Sequence, residues 1–244
     1  MPSASATSEP YDPNNLLDRL TAADGLQHHY DHLAERERSL LRRHLGINSG
    51  TVLSIGAGWH PGRHLFPAPD FKLVAVDSDP EPVAATRRTG TADEAFVGPA
   101  GGLDELQDAS FDIVLCRLVL HHIAFQGPLA PVFSEAARLL RPGGALVAVE
   151  PNLWHPVGLA LAAANKAGVA NLLHGTPDDI PLSPARLLAE ARAAGLAPEI
   201  YGITYGWRRL PIPLQRALAP LDTLGSRPRA ARFAHTLMLI ARRR

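Results

Sequence analysis

The chain has a single cysteine, Cys116, in 244 residues, which excludes an internal disulfide and leaves packing to hold the fold. An excess of charge of one sign is also missing: 24 Lys and Arg stand against 24 Asp and Glu, for a formal net charge of zero. That balance argues against a protein whose main task is to grip a phosphate backbone, so DNA is not an expected partner. No long hydrophobic run occurs. The longest apolar stretch, around Val157 to Ala164, falls well short of the about 20 residues that a membrane-spanning helix needs. The opening MPSASATSEP lacks the basic start and apolar core of a secretory signal. It reads as a disordered leader over residues 1–10, ahead of a single domain over 11–244 in a cytoplasmic protein. No cluster with metal-ligand spacing stands out, and the oligomeric state is not legible.

Hydrophobic residues make up 46% and charged residues 20% of the chain, a globular composition. The zero total hides an asymmetry. From Trp207 onward, Arg208, Arg209, Arg216, Arg227, Arg229, Arg232, Arg242, Arg243 and Arg244 face Asp222 alone. Such a basic end is either a solvated face or a surface for an anionic substrate, lipid or RNA. Asn14–Ala23 and Leu26–Leu45 have helical patterning, the second stopped by Gly46. Beyond it, apolar runs at Thr51–Ile55, Phe71–Val76, Ala92–Val97, Phe111–Cys116 and Ala145–Val149 alternate with helical segments at Glu81–Arg88 and Pro128–Leu140, and a short helix is expected after Pro61. Runs apolar throughout are those of strands covered on both faces, and strand–helix alternation gives a doubly wound, mainly parallel sheet. Helical insertions follow at Trp154–Val169 and Pro211–Leu224. Ser183 caps a helix over Pro184–Ala194, and strands are expected at Ala197–Tyr205 and Phe233–Ala241.

The segment VLSIGAGWHPG, from Val52, runs from a strand into Gly56-Ala57-Gly58. Glycines there let the backbone turn sharply and let a ligand approach. About 20 residues on, Asp77 ends the next strand, where a carboxylate can accept both hydroxyls of a ribose. It could instead be a turn residue or a helix cap, although Asp79 before Pro80 fills the capping role more naturally. The pair suits NAD, FAD and S-adenosylmethionine alike. Two later stretches, FDIVLCRLVLHHI from Phe111 and LLRPGGALVAVEPN from Leu139, complete the pattern.

In this order and spacing the four segments resemble the class I S-adenosylmethionine-dependent methyltransferases over Leu45 to Asn152. The resemblance implies a Rossmann-like α/β fold: a seven-stranded, mainly parallel sheet whose last strand is antiparallel. A helical N-terminal element and an inserted lid (11–46, 153–176 and 207–228) would cap it. It implies that Gly56, Ala57 and Gly58 pass the methionine part of S-adenosylmethionine. Asp77 would hold the ribose, Ser78 and Ala100 would lie along the adenine side, and Cys116, Arg117 and Leu118 would border the methionine end. Tyr30 resembles a family aromatic that leans over the cofactor. Three positions depart from the pattern. Ser54 stands where the family carries an acid, His60 where a third glycine is common, and Pro99 where an acid faces the adenine amine.

The chemistry implied is methyl transfer to a small or medium-sized acceptor, apolar or aromatic given Trp154, Trp207, Tyr201 and Tyr205 near the expected lid. His155 and His29 are the candidate bases for an acceptor that must lose a proton. His121 and His122 are read as a conformational element. Two other readings stand beside it: a protein of this fold that binds the cofactor without transferring methyl, and a methyltransferase acting on lipid or RNA through the arginine-rich end.

Overall fold

A computed structural model describes residues 23–169 and 181–244. The expected leader, nearly all of the expected Asn14–Ala23 helix, and the end of the 153–176 lid lie outside the described residues. Seven strands form one sheet: β1 (Gly50–Ile55), β2 (Phe71–Asp77), β3 (Glu94–Val97), β4 (Phe111–Arg117), β5 (Leu140–Pro151), β6 (Ala197–Thr204) and β7 (Thr236–Arg242). Their order is β3-β2-β1-β4-β5-β7-β6. β7 runs antiparallel between β5 and β6, and the pairings among β1 to β5 are parallel. The order reverses between β1 and β4, the switch point at which such sheets open a crevice at the strands' carboxyl ends.

The strand runs are apolar because both faces are covered. Along β4, Val114 and Cys116 enter one core while Ile113 and Leu115 enter the other; β5 and β7 alternate in the same way. Helix α1 (Ala23–His44) covers the second face with Leu33, Leu40 and Leu41. Helix α2 (Pro80–Thr89) makes the crossover from β2 to β3, while the first face carries α3 (Leu120–Gln126), α4 (Ala130–Leu139) and, beyond α5 (Pro156–Lys166), α6 (Pro184–Ala193); Phe133, Leu139 and Leu187 from these elements are sealed in its core. Local chemistry sets the boundaries. Asp79 caps α2 by accepting from the Glu81 amide at 2.9 Å, with Pro80 at the first position and Gly90 closing the helix. Ser183 caps α6 through the Arg186 amide.

Some boundaries differ from the sequence reading. The segment after Pro61 is a series of turns, and Phe233 is exposed ahead of β7. β5 begins at Leu140, so the Arg-Pro-Gly-Gly segment lies inside the strand span. Pro211–Leu224 divides into α7 (Ile212–Leu218) and a 3₁₀ helix (Ala219–Ser226), followed by the short α8 (Pro228–Ala231). Two terminal arginines are used internally. Arg242 donates to the carbonyls of His44 and Leu45 at the end of α1, and Arg243 to those of Arg138 and Leu140 at the end of α4. Guanidinium groups there satisfy orphan carbonyls and complement the helix dipoles.

Candidate active site

Sheet register lines up the predicted cofactor residues along one edge. Ile55 pairs with Val76 on one side and with Cys116 on the other, and Asp77 pairs with Val97. Gly56, Asp77 and Arg117 therefore stand side by side at the carboxyl ends of three strands. The turn needs its glycines: φ is +61° at Gly56 and +50° at Gly58. They serve different ends. A Cβ on Gly56 would lie 2.2 Å from the Val119 side chain, whereas one on Gly58 would meet nothing within 4 Å. The first glycine is demanded by packing and the second opens onto space. Asp77 braces this turn, one oxygen accepting from the Gly58 amide at 2.7 Å and the other from the Asp79 amide at 2.9 Å. Two backbone donors leave a carboxylate with further acceptor capacity, so Asp77 can brace the turn and still receive hydroxyls. Ser78 is exposed beside it, and Ala100 packs partly against the core after β3.

The β4 residues diverge. The Cys116 side chain is fully buried in the core, where burial first and the Glu150 charge second push its thiol up. Its side chain cannot border a ligand, and only its backbone reaches the edge. Arg117 is held through Nε by both oxygens of the buried Glu37 on α1, at 3.1 and 3.3 Å. Leu118 has φ +56°, a conformation costing a leucine about 1–2 kcal/mol, and it lines a cleft next to the turn. Glu150, sealed at the end of β5, stabilises this corner. It accepts from the amides of Val119, Leu120 and His121 at the start of α3 and from His121 Nδ1 at 2.6 Å. The signal for Glu150 was present as a charged residue ending the apolar run ALVAVEP, but its role had no local marker.

A cleft opens between α1, the β4–α3 junction, α5 and the segment after β6. Leu33, Leu118, Pro151, Leu161 and Trp207 give it an apolar wall, and His29, Tyr30, Asn152, Arg208 and His235 add polar groups. Arg208 donates to the Tyr30 hydroxyl at 3.1 Å, which joins α1 to the segment after β6. His29 is buried, and burial, followed by the Arg208 charge, lowers it to a pKa of about 3. His235 is depressed in the same way, by burial and then by its histidine neighbours and Arg208. The rings of His29 and His155 each meet that of His235 edge-on, with centroids 6.2 and 5.0 Å apart. Sequence reasoning missed His235, since a lone histidine before a strand carries no pattern.

His155 departs from its expected role as a base. Its Nδ1 accepts from the Val157 amide as the N-cap of α5, and its ring also bonds the Tyr205 backbone. It does not line the cleft, so its place in the fold is that of a cap. Trp207 and Leu161 do face the cleft, while Tyr201 stacks on His44 at the far end of α1. Among the described residues no group of three His, Cys, Asp or Glu side chains is placed to hold a metal ion, and no helix is long and apolar enough to cross a membrane.

This edge suits S-adenosylmethionine on three observations. Gly58 opens onto a space that a side chain would fill, and Asp77 offers unused acceptor capacity. The Nε2 of His60, in the same turn, is buried with no hydrogen-bond partner. Residues 53–148, from β1 to β5, match a family model described as a methyltransferase domain. The chain is 30% identical over 149 residues to an uncharacterized 37.1 kDa protein in a transposon of Streptomyces fradiae, covering 58% of this chain and 39% of that protein. It is 31% identical over 105 residues to a thiol S-methyltransferase of Rattus norvegicus, covering 41% of each. The chain thus matches about two-fifths of the length of these relatives. A Thermotoga maritima methyltransferase, described as a possible histamine N-methyltransferase, superposes with a TM-score of 0.62 at 16% identity, covering 89% of this chain and 91% of that one. At that identity the likeness speaks for the fold alone. Over its β1–β5 core the chain carries a methyltransferase domain, and its sheet order and glycine turn are those expected from the resemblance to the class I S-adenosylmethionine-dependent methyltransferases.

Proposed function

We propose that the protein transfers the methyl group of S-adenosylmethionine to a small or medium-sized, apolar or aromatic acceptor held in the cleft beside Leu118. The observation that carries this reading is the adjacency of the glycine turn to a largely apolar cleft with a few convergent polar groups, the usual form of a small-molecule site. Bound at the turn, S-adenosylmethionine supplies an electrophilic methyl group. The residues of this chain have the remaining tasks. Leu33, Leu118, Leu161 and Trp207 hold an apolar body and exclude water, so that the acceptor atom stays in line. His29 remains neutral at physiological pH. A neutral ring with a pKa of about 3 accepts a hydrogen bond well but removes a proton from a hydroxyl poorly. We therefore assign His29 to orienting the acceptor, and favour acceptors whose reacting atom brings its own lone pair, such as a neutral amine or a thiolate. The partial identity to a thiol S-methyltransferase supports putting thiols first among them.

The internal use of Arg242 and Arg243 supports a small molecule over a lipid or RNA surface. The test is turnover: S-adenosylhomocysteine formation is followed with matched aromatic thiols, amines and phenols. Product with the thiol or amine at a rate well above the phenol is expected. Binding of S-adenosylmethionine with no turnover on any acceptor would favour a non-transferring protein of this fold. A preference for the phenol would overturn the role given to His29.

A further inference from the structure

The family pattern places an acid at the position of Ser54, and a buried serine cannot replace its charge, so the contacts of the cofactor's amino-acid end must differ in this chain. Two side chains next to the turn carry unspent hydrogen-bonding capacity. Arg117 binds Glu37 through Nε only, and its two terminal nitrogens make no hydrogen bond among the described residues, although its side chain is just 15% exposed. His60 Nε2 is buried and unpartnered. His60 lies close enough to Arg117 for that cation, after burial itself, to depress the imidazole. Both groups stand at the β1/β4 switch point, Arg117 ending β4 and His60 following Gly58. A largely covered guanidinium edge and a buried imidazole nitrogen are costly to leave unmatched.

We propose that Arg117 and His60 together form the subsite for the α-carboxylate of S-adenosylmethionine, which anchors the amino-acid end of a cofactor whose ammonium lacks the family's usual acid. The proposal rests on the cofactor reading above. Glu37 fixes the guanidinium by its Nε side, with His64 at 3.5 Å steadying the same carboxylate. The opposite edge is left with two parallel N–H groups, the arrangement that receives a carboxylate in a fork. His60 adds one donor from its Nε2–H tautomer. Its place in the turn, where the family commonly has glycine, thereby gains a purpose. Glu37 is positioned to hold Arg117 and does not touch the ligand.

The test uses the full chain and two calorimetric ligands: S-adenosylhomocysteine and its decarboxylated analogue, in which hydrogen replaces the carboxylate. The wild type is expected to bind the analogue at least tenfold more weakly. In the double variant Glu37→Gln/Arg117→Met, which avoids leaving a buried acid unpaired, S-adenosylhomocysteine should weaken about tenfold while the analogue is unchanged. His60→Ala should act in the same direction at no cost to the thermal midpoint, because the Nε2 it removes has no partner to lose. His60→Gln, which restores a donor, should recover part of the affinity. Equal wild-type affinity for the two ligands, or variants that weaken both alike, would overturn the assignment while leaving cofactor binding intact. Wild type that binds neither ligand would overturn the cofactor reading itself.

Discussion

Gly58→Ala separates a ligand-binding glycine from a structural one. The backbone at Gly58 has φ +50°, and a Cβ there meets nothing within 4 Å. The substitution therefore costs the left-handed penalty alone, about 1–2 kcal/mol, or roughly 2–8 °C in the thermal midpoint of a chain this size. Gly195, which follows α6 at the opposite edge of the sheet, offers a matched control: its φ is +78° and it too has nothing within 4 Å. Gly195→Ala should lower the midpoint by a similar amount. The two should part on binding. The methyl of Gly58→Ala occupies the space through which the cofactor approaches, so S-adenosylhomocysteine should weaken at least tenfold, about 1.4 kcal/mol, with no change in Gly195→Ala. Thermal melts and calorimetry on both variants read the two effects independently. Unchanged affinity in Gly58→Ala, or an equal loss in both, would refute the placement of the ligand at this turn.

Gly56→Ala should be far worse for folding than Gly58→Ala, because its Cβ would overlap Val119 at 2.2 Å; the yield of folded protein and the urea midpoint check this. Glu150→Ala should destabilise by about 3–5 kcal/mol in urea titration, since it leaves His121 and the buried amides at the start of α3 without their acceptor. The buried histidines give a pH signature. His29 takes up a proton near pH 6.5 when unfolded but only near pH 3 when folded. Between those values the unfolded state holds more protons, so stability is full above about pH 6.5 and declines as pH falls toward 3. Urea midpoints measured from pH 7 to 4 should fall, and His29→Gln should flatten part of that slope. His155→Ala should cost about 1 kcal/mol of stability through the lost cap and change the rate constant for methyl transfer by less than a few-fold.

The sheet was legible because strands buried on both faces leave continuous apolar runs, and helices α2 and α6 because Asp79 and Ser183 announce their caps. The turns after Pro61 were misread since a proline suits a helix start and a turn equally well. Asp77 and the glycines could be found by spacing, a local property of the chain. Groups that meet only through the topology were not legible. The pairing of Glu37 with Arg117 joins α1 to β4, Glu150 with His121 joins β5 to α3, and the His29–His235–His155 cluster draws on three distant segments. His155 shows the converse. Its residue type suggested a base, but its position directly before Pro156 identifies it as a helix cap, a signal available in the sequence and outweighed by the chemistry of the imidazole.

The account depends most on the cofactor being held at the β1–β2 edge by Asp77. Calorimetric titration of S-adenosylhomocysteine into the wild type and Asp77→Ala tests it directly. Micromolar binding that weakens by tenfold or more, at least about 1.4 kcal/mol, is the predicted result, with the turn loosened as the Gly58 amide loses its acceptor. Absence of binding to a folded wild type, or equal affinity in the two proteins, would contradict it.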